Sequence, residues 1–186
     1  MDFTIYKVYP HNPPHLLLNG AKYWVTGSAF KHNPYFKEKE IKYKMMDVLC
    51  TTAEKLHWQI DDWVILDNHY HLMLESPDTK LNDHNPKTIA NFMNNFHRFS
   101  ALWMRKNCGS LKNVKNIFFN YWDTCITYER SYFARLNYLY FNPVKHGYVQ
   151  HPSEYPYGSY FYRLKQEKLY LDGLVKKHPF NQLDLE

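Results

Sequence analysis

The sequence predicts an α+β domain of ferredoxin-like arrangement, with a mostly antiparallel sheet covered by helices. Strand-like and helix-like segments follow the order strand, helix, strand, strand, helix, strand, helix, which mixes hairpins with crossover helices. The length of 186 residues suits one domain better than two. The composition, 45% hydrophobic and 22% charged, is ordinary for a globular protein.

The first half of the domain contains three strand-like segments and one helix. Residues 21–30 are rich in β-branched and aromatic side chains, which favour a strand. Apolar residues recur at helical spacing over 37–57, which predicts an amphipathic helix. Residues 58–67 and 69–76 are strand-like and are joined by turn-forming residues, so they form a hairpin or one long bent strand.

The second half alternates helices with a strand region. Residues 77–86 are polar and bounded by proline, which predicts a loop. An apolar stripe predicts a helix over 87–106, and residues 114–127 contain one or two strands. A third helix begins near Tyr128 and ends at Asn142, because the following proline disfavours helical geometry in the residue before it.

One domain accounts for most of the chain. Residues 1–20 hold several prolines and form an irregular lead-in, residues 21–160 carry the predicted elements, and residues 161–186 form a C-terminal tail. The stretch from Val144 onward is rich in proline, tyrosine and lysine, and we expect it to wrap around the domain.

Charge and cysteine content narrow the function classes. A formal net charge of +5 favours an anionic partner such as nucleic acid without naming one. Three widely spaced cysteines suggest neither a disulfide framework nor a cysteine zinc site. The sequence shows no signal-peptide pattern and no apolar run of about 18 residues, so we expect a cytoplasmic protein with no membrane partner.

Two histidines stand one residue apart in the strand-like segment 69–76. Alternation places His69 and His71 on one face, about 7 Å apart at their Cα atoms, so that two ring nitrogens can converge on one cation. Asp67 and Glu75 could add oxygen ligands or support the histidines. A chance pair on an exposed strand is the plain alternative. A zinc hydrolase is disfavoured because no H-E-x-x-H motif appears.

The third helix carries a tyrosine and an asparagine four residues apart. Tyr138 and Asn142 therefore lie on one helix face, and a phenol and an amide oxygen can point at the same place. Tyr138 could instead pack in the core, as we expect for Tyr140. If the histidine strand lies opposite this helix, the shared target could be a metal ion.

These motifs together resemble the REP-associated tyrosine transposases, a group within the single-tyrosine HUH endonucleases. The histidine motif is W-V-I-L-D-N-H-Y-H-L-M-L (63–74), the aromatic strand is F-F-N-Y-W-D-T-C-I (118–126), and the tyrosine helix with its exit is Y-L-Y-F-N-P-V-K-H-G-Y-V (138–149). The opening G-A-K-Y-W-V-T-G (20–27) resembles the first strand of the family. The motifs occur in the order of the family.

The resemblance implies a mechanism and a set of residues. His69 and His71 would be ligands of a catalytic Mg²⁺ or Mn²⁺, Asn142 would be the third ligand, and Tyr138 would be the nucleophile. Asn142 stands where glutamine is commoner in the broader group. The implied chemistry is cleavage of single-stranded DNA that leaves a covalent 5′-phosphotyrosine and a free 3′-hydroxyl.

A basic and aromatic groove for DNA is also expected, since cations follow the phosphate backbone and rings stack on bases. The candidate DNA contacts are Arg98, Arg105, Arg130, Arg135, Lys145 and His146. The expected partner is single-stranded or hairpin DNA, bound by a monomer or a homodimer. The rival interpretation is a non-catalytic hairpin-binding protein that keeps the transposase fold.

Overall fold

The computed structural model describes residues 20–78 and 88–164 of the chain. The regular elements in these ranges are β1 (Lys22–Ala29), α1 (Lys39–Leu56), β2 (Gln59–Ile65), β3 (His69–Glu75), α2 (Ile89–Asn107), β4 (Phe118–Ile126) and α3 (Glu129–Lys145). The strands form one antiparallel sheet in the order β2-β3-β1-β4. This order, with a helix between β1 and β2 and another between β3 and β4, confirms the predicted ferredoxin-like α+β fold.

The two faces of the sheet carry separate cores. Tyr70, Leu72 and Leu74 of β3 point into the core beneath α1 and α2, whereas Met73 packs with residues of α3 on the other face. The alternation predicted for β3 is therefore confirmed. It places His69 and His71 on the α3 side of the sheet.

The strand predictions hold in outline, and the structure decides between the alternatives. β2 and β3 pair antiparallel as a hairpin, so the single bent strand is wrong. The region 114–127 contains one strand, β4. The predicted loop at 77–86 falls almost wholly outside the described residues, as do the lead-in 1–20 and most of the tail 161–186.

The predicted end of the third helix at Asn142 is wrong, because α3 continues through Pro143 to Lys145. A proline this close to the helix end removes only one backbone hydrogen bond. Asn142 is fully buried, and its amide contacts two histidines of β3. These tertiary contacts outweigh the local preference of a residue that precedes proline.

Gly27 of β1 is required by close packing against β3. A Cβ atom at this position would lie 2.1 Å from the hydroxyl oxygen of Tyr70. The Tyr70 phenol uses this space and contacts Nε2 of His97 on α2. Any side chain at position 27 would therefore displace a residue at the centre of the larger core.

The segment after α3 packs along the outer edge of β2, as predicted for the described part of the tail region. The backbone N–H of Ile65 donates to the carbonyl of Tyr157 at 2.9 Å. Ser159 and Arg163 both donate to Oδ1 of the buried Asp62, at 2.6 and 2.9 Å. Tyr140 of α3 donates to the same oxygen at 3.0 Å, which ties α3 to β2 and confirms that Tyr140 is a core residue.

A helix can cross a membrane only when it is long and apolar. None of the helices within residues 20–78 and 88–164 meets that requirement.

Candidate active site

The two histidines open into a cavity of about 510 Å³ on the α3 side of the sheet. His69 and His71 form part of its wall from β3, and Tyr138 faces it from α3. His146, directly after α3, lies against His69 with ring centres 4.9 Å apart. The fold therefore brings the histidine strand and the tyrosine helix together, as the sequence predicted.

The amide of Asn142 lies between the two imidazoles. Its oxygen is 3.2 Å from Nε2 of His69, and its nitrogen is 3.3 Å from Nε2 of His71. Asn142 is completely buried and His71 is nearly so, at 2% exposure. The polar ends of three side chains thus meet at one point, with Asn142 and His71 buried and His69 half-buried at the cavity.

Asn68 fixes the orientation of the His69 ring through a hydrogen bond to Nδ1. The Asn68 amide nitrogen donates to the carbonyl of His32 at 3.3 Å, which turns its oxygen toward Nδ1 of His69 at 2.7 Å. Nδ1 must then donate, and in the neutral ring Nε2 presents a lone pair.

Thr26 of β1 fixes the orientation of the His71 ring through a hydrogen bond with Nδ1. Nδ1 of His71 lies 2.9 Å from the Thr26 hydroxyl oxygen, and its Nε2 accepts from the Asn142 amide nitrogen. Nδ1 is therefore the protonated nitrogen and donates to Thr26. Both histidines direct their Nε2 lone pairs toward Asn142, which is the arrangement of metal-ligating imidazoles oriented by a second partner.

The electrostatic setting keeps His71 neutral. Burial lowers the pKa of His71 well below its usual value, and the neighbouring His69, His146 and Lys145 lower the pKa further. A neutral imidazole is the form that binds metal.

Tyr138 packs directly against His71. The two ring centres are 5.2 Å apart in an edge-on arrangement, and the Tyr138 ring also meets Trp24 at 6.0 Å. The ammonium group of Lys145 lies 5.1 Å from the centre of the Tyr138 ring. Tyr138 is thus a cavity-lining side chain with a positive charge beside it, although only 5% of its surface is exposed.

The two carboxylates near the histidines are engaged elsewhere. Asp67 accepts from the buried Lys42 at 2.6 Å, and Glu75 accepts from Lys22 at 2.6 Å. The suggestion that they supply metal ligands is therefore not supported. In the described ranges no three His, Cys, Asp or Glu side chains are placed to hold one metal ion.

The predicted DNA contacts divide between the two faces of the sheet. Lys145 and His146 lie at the cavity. Arg130 and Arg135 lie earlier on α3, where Arg135 donates to the Ser131 hydroxyl. Arg98 and Arg105 lie on α2, which covers the opposite face, and Arg105 donates to the carbonyls of Val114 and Lys115. Their role in DNA binding stays a prediction.

Sequence reasoning missed several residues at the site. Thr26 and Trp24 reach His71 from β1, the latter by stacking with ring centres 5.0 Å apart. Phe119 and Trp122 of β4 line the cavity. Alternation along β1 places Trp24 and Thr26 on one face, but only the pairing of β1 with β3 reveals that this face meets the histidines.

Two named proteins are similar in sequence to this chain. No family model matches the chain. The chain is 27% identical over 148 residues to a Haemophilus influenzae protein whose name assigns it to the REP-associated tyrosine transposases, which covers 72% of this chain and 73% of the relative. It is 29% identical over 106 residues to the REP-associated tyrosine transposase of Escherichia coli, covering 55% and 54% of the two chains.

A solved structure of a REP-associated tyrosine transposase bound to a REP hairpin shares the fold. It superposes with a TM-score of 0.67 over 86% of this chain and 87% of that one, at 18% identity. The sequence relatives and the shared fold together confirm the resemblance to the REP-associated tyrosine transposases that the motifs predicted.

Proposed function

We propose that this protein is a transposase that acts as a metal-dependent endonuclease and strand transferase on single-stranded DNA. It would cleave at sites flanked by DNA hairpins and hold the cut strand as a 5′-phosphotyrosine on Tyr138. The observation that carries the proposal is the convergence of Tyr138, Asn142 and two histidines at one cavity. The names of the sequence relatives support the same activity.

The donor geometry suits a divalent cation. Ligands at neighbouring positions of an octahedral ion stand about 3 Å apart when each lies about 2.1 Å from the ion. The Asn142 oxygen lies 3.2 Å from Nε2 of His69, which matches that spacing. The Asn142 nitrogen donates to Nε2 of His71 at 3.3 Å, and this hydrogen bond would be exchanged for the metal when the ion binds. Mg²⁺ or Mn²⁺ held by His69, His71 and Asn142 would offset charge on the phosphate, and nitrogen ligands favour Mn²⁺.

The chain itself supplies the nucleophile. The Tyr138 oxygen attacks phosphorus and releases its proton to water. The bond from phosphorus to the 3′ oxygen breaks, and that oxygen takes a proton from water and leaves as a 3′-hydroxyl. Lys145 places a positive charge beside the ring and stabilises the negative charge that develops on the phenol oxygen. The new phosphoester keeps the bond energy, so the cleaved strand can be rejoined to another 3′-hydroxyl.

A hairpin with a single-stranded flank is the proposed substrate. The solved structure that shares this fold holds a REP hairpin. A positive charge at Lys145 and the net charge of +5 suit a polyanionic partner. We propose an unpaired flank because Tyr138 and His71 line the cavity with only 5% and 2% of their surfaces exposed.

The test is a covalent adduct assay with a pool of labelled hairpins that carry randomised single-stranded flanks. With Mn²⁺ the wild-type protein should form an SDS-resistant adduct, and Tyr138→Phe should form none while still binding the pool. Tyr148→Phe is the matched control, since Tyr148 also lines the cavity. Binding without any adduct by the wild type would favour a non-catalytic hairpin-binding protein.

A further inference from the structure

The edge strand β4 presents two large aromatic side chains to the cavity. Trp122 and Phe119 are 54% and 48% exposed, so both rings present a large apolar surface to solvent. Both line the same cavity as Tyr138 and the two histidines. The catalytic proposal uses neither of them.

A bulge in β4 explains why both rings face this side. The pairing of β1 with β4 shifts register between Gly27 and Ala29. Phe118 and Tyr121 both turn toward the core beneath α1 and α2, where Phe118 stacks on His97 at 4.2 Å. The two residues between them, Phe119 and Asn120, are left on the cavity side.

Trp122 lies in one row with the histidine site. It pairs with Thr26 of β1, and Thr26 in turn pairs with His71 of β3. Paired residues share a face and neighbouring strands are about 4.8 Å apart, so Trp122 stands about 10 Å from His71 across the sheet. A single strand spans about 10 Å with one or two nucleotides. A base stacked on Trp122 would therefore lie one or two nucleotides from a phosphate bound at the histidines. In the described part of the chain no strand pairs with the outer edge of β4, so a nucleic-acid strand can pass over it.

We propose that Trp122, with Phe119 beside it, forms a stacking platform for the unpaired bases that flank the phosphate cleaved by Tyr138. The inference rests on the proposed function. It assigns the unpaired flank of the substrate as the part that Trp122 and Phe119 contact. An exposed indole face stacks on an unpaired base of any sequence but cannot reach a base inside a duplex. The platform therefore selects single-stranded flanks over paired ones.

The experiment measures binding apart from cleavage. The parent protein carries Tyr138→Phe and is kept in EDTA, and the probe is a short fluorescein-labelled oligothymidylate with no hairpin, compared with the same sequence as a duplex. Adding Trp122→Ala should weaken binding of the single strand roughly tenfold, Trp122→Phe should restore most of it, and duplex binding should not change. Phe99→Ala, an exposed aromatic on α2 that lies away from the cavity, is the control and should bind as the parent does.

Two outcomes would overturn the platform. One is equal single-strand binding by the parent and Trp122→Ala, with Trp122→Ala showing the thermal transition of the parent. The other is a parent that does not bind the unpaired oligonucleotide at all. Neither readout depends on adduct formation, so a wild-type protein that forms the adduct while Trp122→Ala binds normally would refute the platform and leave the proposed activity standing.

Discussion

The side-chain oxygen of Asn142 faces Nε2 of His69 at 3.2 Å, and both atoms are hydrogen-bond acceptors. The acceptor state of Nε2 follows from Asn68, whose oxygen takes the proton of Nδ1. With the Asn142 amide turned over, its nitrogen would donate to Nε2 of His69 and its oxygen would accept from Nε2 of His71, whose Nδ1 would then accept from the Thr26 hydroxyl. In the orientation that the structure shows, a cation between the Asn142 oxygen and Nε2 of His69 would bind both lone pairs, in line with the proposed metal site.

Replacing Asn142 with aspartate should tighten metal binding. The carboxylate adds a negative charge and removes the amide N–H group, and hard divalent cations prefer charged oxygen ligands. We expect Asn142→Asp to bind Mn²⁺ roughly tenfold more tightly than wild type and Asn142→Leu to bind it at least tenfold more weakly. Titration of free Mn²⁺ by electron paramagnetic resonance checks both values. Equal affinity in all three proteins would show that the ion does not contact this residue.

Thr26 should act on the metal through His71. Thr26→Val keeps the shape of the side chain but removes the acceptor of the Nδ1 proton, so the ring loses its fixed orientation. We expect Mn²⁺ affinity to fall about tenfold, with a loss in free energy of unfolding of about 1 kcal/mol. Thr26→Ser should restore the affinity, and Thr124→Val on β4 should leave it unchanged. A Thr26→Val protein with normal affinity would contradict this role.

His97 should make the fold sensitive to mild acid. Burial lowers the pKa of His97 to about 3, whereas the unfolded chain titrates near its ordinary value of about 6.5. As the pH falls below about 6.5, His97 binds a proton in the unfolded state but stays neutral in the folded state. The free energy of unfolding therefore decreases from about pH 6.5 down to about pH 3.

His97→Phe isolates this contribution, since it keeps a ring against Phe118 but cannot titrate. Between pH 7.5 and pH 5 the wild-type free energy of unfolding should drop by about 2 kcal/mol more than that of the variant. Urea denaturation at the two pH values measures the difference. The buried His71 affects the pH dependence of both proteins equally, so its effect cancels in the comparison. Parallel pH dependence would show that His97 is protonated in the folded state.

Much of the fold could be predicted from local patterns. The alternation of His69, His71 and Met73 against Tyr70, Leu72 and Leu74 predicted the faces of β3. The i, i+4 spacing predicted that Tyr138 and Asn142 lie on one helix face, and both side chains do lie against His71. These signals depend only on the periodicity of one element, so they are readable from sequence.

Other features of the fold and the site depend on contacts between elements that are distant in the sequence. The contact of Thr26 with His71 requires the register of β1 on β3, and the orientation of Phe119 requires a bulge that no residue pattern marks. The continuation of α3 past Pro143 depends on the buried contacts of Asn142. Charge alone predicts one DNA surface for Arg98, Arg105 and Lys145, but α2 and α3 cover opposite faces of the sheet.

The most direct test of the account is to identify the residue that carries DNA after cleavage. The wild-type protein is incubated with the hairpin pool and Mn²⁺, digested with protease, and the nucleotide-bearing peptide is located by mass spectrometry. Among the 17 tyrosines we predict a 5′-phosphodiester bond on Tyr138 alone, and no modified peptide from Tyr138→Phe. A nucleotide attached to any other residue would contradict the central claim.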